Sequence, residues 1–257
     1  MDSSPPEKSG LFKAKNARQG DLRDTIKTLV IAVIFALIFR SFAFEPFHIP
    51  SDSMKSNLLV GDYLFVTKFS YGYSRYSLPF FGFPNVHGRF LEMHAPQRGD
   101  VVVFRPPGQP SEDFIKRLIG LPGDHIRMKG GVLYINGEMA KKEYVEEWTD
   151  QEPDQAHYPI TYKRYRETLP DGKSYFILNT QTPSEVEDTG EFVVPEGHYF
   201  MMGDNRDRSR DSRYLEHGDD VVGYVPAENF VGRADLILFS WRDWFSFRGD
   251  RFFNRIP

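Results

Sequence analysis

One short stretch decides how this chain is interpreted: Phe47-His48-Ile49-Pro50-Ser51-Asp52-Ser53-Met54. Residues two apart project to the same side of an extended backbone, so Ser51 and Ser53 present their hydroxyls together. Pro50 restrains Ile49 to an extended conformation, which helps to hold the pair. One hydroxyl can attack a carbonyl carbon while the other, with the backbone N–H of Ser53, donates to the oxyanion. The alternative interpretation is an ordinary Ser-Asp-Ser turn.

The only long apolar run, Thr28–Phe39, lies shortly before this stretch and predicts a membrane anchor at 28–46. Its twelve uncharged residues cover about 18 Å of helix, against about 30 Å of hydrocarbon, so Lys27 and Arg40 must extend their charges outward. The first 28 residues hold six Lys/Arg against four acidic residues. This bias predicts a cytoplasmic tail at 1–27 and places residues 47–257 outside.

The alternative to an anchor is a cleavable signal peptide. The apolar length suits one, and Ser41-Phe42-Ala43 is a small-x-small triplet of the kind that is cleaved. Two features argue against cleavage: the N-terminal region is long, and Arg40 closes the apolar run before the triplet. We therefore expect the segment to be retained.

Composition and missing motifs exclude several classes of site. The chain has no cysteine, which excludes disulfides, thiolate metal sites and cysteine nucleophiles. A net charge of -4 argues against general nucleic-acid binding. The sequence contains no Gly-x-Ser-x-Gly elbow, no His-Glu-x-x-His zinc helix and no Walker loop. Its seven histidines are scattered singly, so a Ser-His-Asp triad has no local support.

Beyond residue 46 the sequence is typical of a mainly β protein. Short β-branched or aromatic runs bounded by turn residues predict strands at 62–68, 100–105, 199–202 and 234–241. Asn136-Gly137 predicts a tight hairpin. Residues 71–90 are rich in Gly, Pro, Tyr and Phe and predict an exposed aromatic loop.

Lys116 is the candidate base. If Asp113-Phe-Ile-Lys-Arg-Leu-Ile119 is a strand, Phe114, Lys116 and Leu118 share one face, where desolvation favours the neutral amine. To act as a base near neutral pH, its pKa must fall from about 10.4 by roughly 2–3 units, which costs about 3–4 kcal/mol. A fold tolerates such a cost mainly where function requires it. The alternative is that Lys116 extends its ammonium into solvent at a sheet edge.

A charged loop is the third candidate feature: Gly203-Asp-Asn-Arg-Asp-Arg-Ser-Arg-Asp-Ser-Arg213. A calcium site fails, because a ligand series that starts at Asp204 meets Arg206 and Arg208 at the next ligand positions. A solvated charged loop is one interpretation. The other is a network of paired Asp and Arg side chains that orients a nearby base.

Together these features resemble the type I signal (leader) peptidases of bacteria, which are membrane proteases with a Ser-Lys dyad. The similarity lies in five blocks in the order of that family, at residues 45–54, 61–63, 98–104, 114–124 and 203–213. One departure follows Met54, where the family commonly has x-Pro-Thr-Leu and this chain has Lys55-Ser56-Asn57-Leu58. The missing proline predicts a looser turn after the nucleophile.

The resemblance implies a role for each residue of the candidate site. Ser53 would be the nucleophile and Lys116 its general base. Ser51 would donate to the oxyanion, and Ser209 would hydrogen-bond to Lys116 and orient it. The implied supporting residues are Asp211, Asp204 paired with Arg117, and Arg213. No metal and no cofactor are expected.

The resemblance also implies the fold and the biological setting. We expect an antiparallel β-sheet catalytic domain at 47–123 and 200–257, a smaller inserted β domain at 124–199, and a single N-terminal transmembrane helix. The implied function is removal of N-terminal signal peptides through an acyl-enzyme. The partners would be exported preproteins with Ala-x-Ala-type signal peptides and the lipid bilayer. The location would be the bacterial inner (plasma) membrane, with the catalytic domain on the periplasmic or outer side.

Two other functions remain open at this point. One is a dedicated Ser-Lys processing peptidase with a single client, or a self-cleaving relative. The other is a catalytically inert, membrane-tethered assembly module. Substrate range separates the first from a general signal peptidase, and an inert Ser-Lys pair would favour the second.

Overall fold

The computed structural model describes residues 10–77, 88–150, 159–182, 184–214, 222–243 and 246–257. One long helix, α1 (Gly10–Phe42), precedes the strands. The apolar side chains described along it from Leu22 to Phe42 are exposed. Within these described ranges, no helix is both long and apolar enough to cross a membrane. Of the predicted anchor at 28–46, the last three residues belong to the first strand rather than to α1.

The rest of the described chain is mainly β, as the sequence predicts. Sixteen strands follow α1. They are β1 (Phe44–His48), β2 (Asp62–Thr67), β3 (Val101–Phe104), β4 (Phe114–Gly120), β5 (His125–Lys129), β6 (Val132–Ile135), β7 (Glu138–Met139), β8 (Lys141–Thr149), β9 (Thr161–Thr168), β10 (Ser174–Asn179), β11 (Phe192–Val193), β12 (His198–Met202), β13 (Val225–Pro226), β14 (Phe230–Asp243), β15 (Ser246–Phe247) and β16 (Asn254–Arg255).

These strands form three antiparallel sheets. The largest has nine strands in the order β1-β2-β14-β3-β4-β12-β13, with β15 and β16 also paired to β14. A three-stranded sheet has the order β10-β9-β8, and a four-stranded sheet has the order β11-β5-β6-β7. The predicted strands at 62–68, 100–105, 199–202 and 234–241 coincide with β2, β3, β12 and part of β14. The predicted domain boundaries at 123/124 and 199/200 stay a prediction.

Local sequence explains the predicted hairpin, whereas the predicted aromatic loop is partly wrong. Asn136 and Gly137 join β6 to β7 with φ of 54° and 81°, the left-handed conformation that Asn and Gly adopt most easily. Of the predicted exposed loop at 71–90, residues 78–87 lie outside the described residues. Tyr71 is buried rather than exposed, because its ring packs in the core and its hydroxyl donates to Asp100 at 2.9 Å.

The order of the large sheet brings the candidate site residues together. Strand β4 lies inside the sheet, between β3 and β12. Arg117 of β4 pairs with Met202, the last residue of β12, so the loop that starts at Gly203 begins beside Arg117. The segment after β1 is tied to the start of β2, since Ile49 N–H donates to the Asp62 carbonyl at 2.9 Å.

Candidate active site

A tight, well-anchored turn carries Ser53. The Lys55 N–H donates to the Asp52 carbonyl at 2.9 Å, and the Leu58 N–H donates to the Met54 carbonyl at 2.9 Å. Met54 and Leu58 are fully buried in the core beneath the sheet. Because apolar side chains on both sides of the turn are packed, Ser53 is held in place and is itself only 6% exposed.

Lys116 lies against this serine. Its Nζ is 2.7 Å from Ser53 Oγ and donates to the Ile115 carbonyl at 3.0 Å. The ammonium also lies 5.5 Å from the centre of the Phe114 ring, as expected for two residues on one face of a strand. The alternative of a lysine that extends into solvent at a sheet edge is wrong, because β4 has a neighbour on each side and Lys116 is buried.

Burial changes the basicity of this lysine. It lowers the pKa of the Lys116 amine from 10.5 to about 8, because the charged form loses its hydration. The carboxylates of Asp211, Asp204 and Asp52 oppose this lowering of the Lys116 pKa, whereas the Arg213 guanidinium adds to it. Desolvation outweighs the carboxylates, so a substantial fraction of Lys116 is neutral near physiological pH and can accept a proton.

The same pKa shift predicts a stability gain when Lys116 is replaced. Below about pH 8 the folded protein keeps a buried ammonium, which costs about 3 kcal/mol relative to the unfolded chain. The unfolded state binds the extra proton between about pH 8 and 10.5, so this cost disappears as pH rises through that window. We expect Lys116→Met to raise Tm at pH 7 by roughly 5–10 °C, and the gain to shrink towards pH 10.5.

Thermal unfolding followed by circular dichroism checks this expectation. Lys129→Met is the matched control, because Lys129 is an exposed lysine of β5 and its replacement should leave Tm unchanged. An unchanged or lower Tm for Lys116→Met at pH 7 would contradict a destabilising buried ammonium.

Ser51 completes the pair of hydroxyls that the sequence indicates. Its Oγ lies 3.3 Å from Ser53 Oγ, and either hydroxyl can be the donor. Ser51 is exposed, whereas Ser53 is buried, so Ser51 lies on the open side of the nucleophile. A hydroxyl at that place can donate to an oxygen that forms next to Ser53.

Buried ion pairs organise the charged loop at 203–213, and two of them involve the predicted supporting residues. Arg117 Nε and Nη2 donate to the two oxygens of Asp204 at 2.8 and 2.7 Å. Arg213 Nε and Nη2 likewise donate to the two oxygens of Asp211, both at 2.8 Å. Such bidentate pairs fix direction as well as charge. The paired network that the Asp and Arg pattern predicts is therefore present, in place of a solvated charged loop.

The Asp211 carboxylate also holds the start of the loop. It accepts from the Gly203 N–H at 2.9 Å. Burial raises the pKa of Asp211, but Arg213 and this backbone donor reverse the shift and hold the pKa below its usual value. Asp211 therefore stays ionised beside Lys116.

The predicted hydrogen bond between Ser209 and Lys116 stays a prediction. Ser209 is buried, yet its Oγ has no hydrogen-bond partner among the described residues. Lys116 Nζ contacts Ser53 Oγ and the Ile115 carbonyl oxygen, which leaves one of its three ammonium donors for another acceptor. The Ser209 side chain instead packs on Gly203, where an added Cβ would lie 2.2 Å from Ser209 Oγ and 2.6 Å from the Ser53 carbonyl oxygen. Only glycine fits at 203.

Two asparagines join the nucleophile turn to the charged loop, and neither is among the residues predicted for the site. Asn205 N–H donates to the Ser53 carbonyl at 3.0 Å, and its Nδ2 donates to the Asp52 carbonyl at 3.1 Å. Asn57 Nδ2 donates to Asp204 Oδ2 at 2.7 Å. The two segments are therefore tied directly to each other, independently of Lys116.

The departure after Met54 gives a different turn rather than a looser one. Ser56, where the resembled family commonly has proline, adopts a φ of 98°. Proline is locked near -65° and cannot occupy that region. The prediction of a looser turn is wrong, because the hydrogen bonds of Lys55 and Leu58 close the backbone on either side of Ser56.

The described part of the chain contains no group of three or more His, Asp or Glu side chains arranged to hold a metal ion. A buried serine in contact with a lysine of lowered pKa is the arrangement of an activated nucleophile and its base. The class that the fold and the site define is a mainly β serine hydrolase.

Comparison with known proteins identifies the family. The family model described as "Signal peptidase, peptidase S26" matches residues 22–241. The chain is 43% identical to Signal peptidase I of Rickettsia typhi over 226 residues, which cover 85% of this chain and 81% of that protein. It is 42% identical to Signal peptidase I of Rickettsia prowazekii, with 83% and 78% covered. The chain therefore belongs to the signal peptidase family, peptidase S26, and is a serine endopeptidase.

A solved structure is also similar. It is the crystal structure of a signal peptidase I from Enterococcus faecalis V583, with 27% sequence identity. The match covers 55% of this chain and 98% of that one, with a TM-score of 0.30.

Proposed function

We propose that this protein removes N-terminal signal peptides from exported preproteins, with Ser53 as the nucleophile and Lys116 as the general base. The observation that carries the proposal is the 2.7 Å contact between Ser53 Oγ and an amine whose pKa is lowered to about 8. The names of the Rickettsia relatives support the choice of substrate.

In the proposed acylation step, neutral Lys116 takes the proton of the Ser53 hydroxyl as Oγ attacks the carbonyl carbon of the scissile peptide bond. The carbonyl oxygen becomes an oxyanion, which accepts from Ser51 Oγ and from the Ser53 N–H. The C–N bond then breaks, and the Lys116 ammonium gives its proton to the departing amine, which is the new N-terminus of the mature protein.

Deacylation repeats the same transfers with water. Lys116 takes a proton from a water molecule, the hydroxide attacks the acyl carbon, and Ser53 Oγ leaves with the proton from Lys116. The supporting residues hold this dyad in place: Asp204 with Arg117, and Asp211 with Arg213. Ser209, whose buried Oγ lacks a partner among the described residues, would offer its oxygen to Lys116 once substrate is bound.

The oxyanion role of Ser51 predicts a rate effect. We expect Ser51→Ala to lower kcat by roughly 10²–10³-fold with a small change in KM, because the hydroxyl acts mainly on the charge that forms in the transition state. Ser51→Thr keeps the hydroxyl and is the matched variant that should retain more activity. Steady-state kinetics with a preprotein or a peptide substrate measures both. A Ser51→Ala variant with the kcat of the unmodified protein would remove this role.

We further propose that α1 associates with the lipid bilayer and places the catalytic domain on the outer side of the bacterial inner membrane. The support is the row of exposed apolar side chains between Leu22 and Phe42, which an apolar surrounding would cover. The proposed division keeps residues 47–123 and 200–257 as the catalytic domain and 124–199 as the inserted β domain. Reconstitution into vesicles followed by alkaline extraction tests the association, and complete release of the protein would contradict it.

Small residues at the cleavage site fit the burial of the nucleophile. Ser53 is only 6% exposed, so a bulky side chain at the scissile bond would meet the walls around it. An Ala-x-Ala-type sequence places small side chains there, as the resemblance to type I signal peptidases implies.

The decisive experiment is cleavage of a purified preprotein by the full-length protein in detergent, with N-terminal sequencing of the product. We expect one cut, directly after a small residue at the end of the signal peptide. A folded protein that leaves preproteins intact would contradict the proposal and favour an inert assembly module. A panel of preproteins with unrelated mature parts separates a general enzyme from a peptidase with one client.

A further inference from the structure

A second buried lysine lies two residues beyond the nucleophile. Lys55 is 2% exposed, and its Nζ is 2.5 Å from Asp150 Oδ2. Asp150 is 5% exposed, and 95 positions separate the two residues in the chain. Neither residue takes part in the proton transfers of the proposed mechanism, so the ion pair needs another explanation.

Asp150 lies at the end of a paired strand. It directly follows β8, and its N–H donates to the Ile160 carbonyl at 2.9 Å, which extends the pairing of β8 with β9. That pairing is the most extensive in the three-stranded sheet and runs from Lys141 opposite Thr168 to Thr149 opposite Thr161. The ion pair therefore joins the nucleophile turn to the end of the paired strands β8 and β9.

The same three-stranded sheet also contacts the rest of the site. Leu178 of β10 forms a parallel bridge with Asn205: its N–H donates to the Asp204 carbonyl, and its own carbonyl accepts from Arg206 N–H, both at 2.9 Å. The Phe176 carbonyl accepts from Asn57 Nδ2 at 2.7 Å. The sheet β10-β9-β8 is thus a common support for the turn at 52–58 and for the loop at 203–213.

Net stability does not explain why a lysine and an aspartate are buried here. Removing both charges from water is expensive, and apolar side chains of similar volume often replace such a pair without loss of stability. What a buried ion pair adds is direction and register, because a misplaced partner would leave an unpaired charge. Met54, next to Lys55, is packed in the core of the large sheet. Met54 and Lys55 thus pin the chain after Ser53 to two different sheets.

We infer that Lys55 and Asp150 are positioning residues for the reaction: their ion pair fixes the nucleophile turn against the three-stranded sheet and so holds Ser53 Oγ at Lys116. This inference rests on the proposed function. Loss of the pair lets the turn shift, and a displacement of about 1 Å at a reacting atom is enough to lower turnover about 10²-fold. Substrate binding, which involves more of the protein surface, changes less.

The test compares a double variant with the unmodified full-length protein. Lys55→Met/Asp150→Leu replaces both charges by apolar side chains, so we expect it to fold with a Tm close to that of the unmodified protein. Its kcat is expected to fall about 10–100-fold, with KM changed less than about 2-fold. A double variant with unchanged kcat and unchanged Tm would overturn the inference, because the pair would then have no effect on the reaction.

A lysine–carboxylate pair in the nine-stranded sheet provides the control. Lys68 Nζ lies 2.7 Å from Glu45 Oε2, and Lys68 is also fully buried, but the pair joins β1 to the residue after β2. Lys68→Met/Glu45→Leu should leave kcat on a soluble peptide unchanged. An equal loss of kcat in both double variants would show a general effect of replacing buried pairs and would overturn the positioning role.

The pH profile separates positioning from electrostatics. The limb of kcat/KM that rises up to about pH 8 should keep its position in Lys55→Met/Asp150→Leu, because Lys55 does not control the Lys116 amine. A shifted limb would assign the loss to Lys116 and overturn the inference. If the double variant does not fold, Asp150→Asn replaces it in the test, because this variant removes the charge of Asp150 and keeps an oxygen for Lys55. An unchanged kcat in Asp150→Asn would then overturn the inference.

Failure of the inference and failure of the proposed function give different results. If the unmodified protein cleaves a preprotein and Ser53→Ala does not, the proposed function holds, and the double variant alone decides about Lys55 and Asp150. If the unmodified protein does not cleave, or if Ser53→Ala still cleaves, the proposed function fails, and with it the positioning role.

Discussion

Ser53→Ala is expected to reduce kcat for preprotein cleavage by about 10⁴–10⁶-fold while the protein stays folded. Serine proteases lose rate acceleration on this scale when the nucleophile is removed, because no acyl-enzyme can form. The substitution deletes one oxygen that lies 2.7 Å from Lys116 Nζ. Since the turn is anchored by the packing of Met54 and Leu58, the backbone should not change.

The matched control is Ser56→Ala, three residues further along the same turn. The Ser56 Oγ is buried without a hydrogen-bond partner among the described residues. Its loss should therefore leave kcat within about 2-fold of the unmodified protein, while Ser53→Ala is inactive by gel assay and by N-terminal sequencing of the product. Cleavage by Ser53→Ala at the normal site and rate would assign the nucleophile to another residue.

Lys116→Met is expected to cause a loss of kcat as large as that of Ser53→Ala, and the double variant should be no worse than either single variant. Residues that act as one unit are not additive, because removing either partner already abolishes the shared step. Met has a similar length and no proton to transfer, so the packing in β4 is kept. An additive loss in the double variant would mean that the two residues act in separate steps.

The pH dependence of the unmodified protein provides a second measure of Lys116. The base works in its neutral form, so kcat/KM should rise about tenfold per pH unit below its pKa and level off above about pH 8. Above its pKa the Lys116 amine is already neutral, so a further rise in pH should cause no loss of activity through this residue. The matched measurement is the residual activity of Lys116→Met, which should lack this limb. A limb that persists in Lys116→Met would report another group.

Much of this site follows from local sequence pattern. The alternation of β4 put Lys116 on an apolar face, and the spacing of Ser51 and Ser53 put two hydroxyls on one side. The resemblance to a known family then paired Asp204 with Arg117. In the first two cases the chemistry is carried by residue types at short spacing, which periodicity reports directly. Asp204 and Arg117 are 87 positions apart, so only the resemblance could pair them.

The contacts that hold the segments together could not be found this way. Asn57 meets Asp204 across 147 positions, and Lys55 meets Asp150 across 95, so each contact depends on how sheets pack rather than on neighbouring residues. The side chain of Ser209 shows the same difficulty: its hydroxyl lies against Gly203 and has no hydrogen-bond partner among the described residues. Hydrogen-bond direction is decided by packing that no local motif encodes.

The backbone at Ser56 has a consequence for how this sequence can evolve. Proline cannot adopt a φ of 98°, so a single Ser56→Pro substitution, which would introduce the residue common in the resembled family, does not fit this backbone. A proline at position 56 requires a different backbone in a turn whose Lys55 and Asn57 contact the buried Asp150 and Asp204. Positions 55, 56 and 57 are thus expected to show strong epistasis and to be exchanged between homologues only as a block.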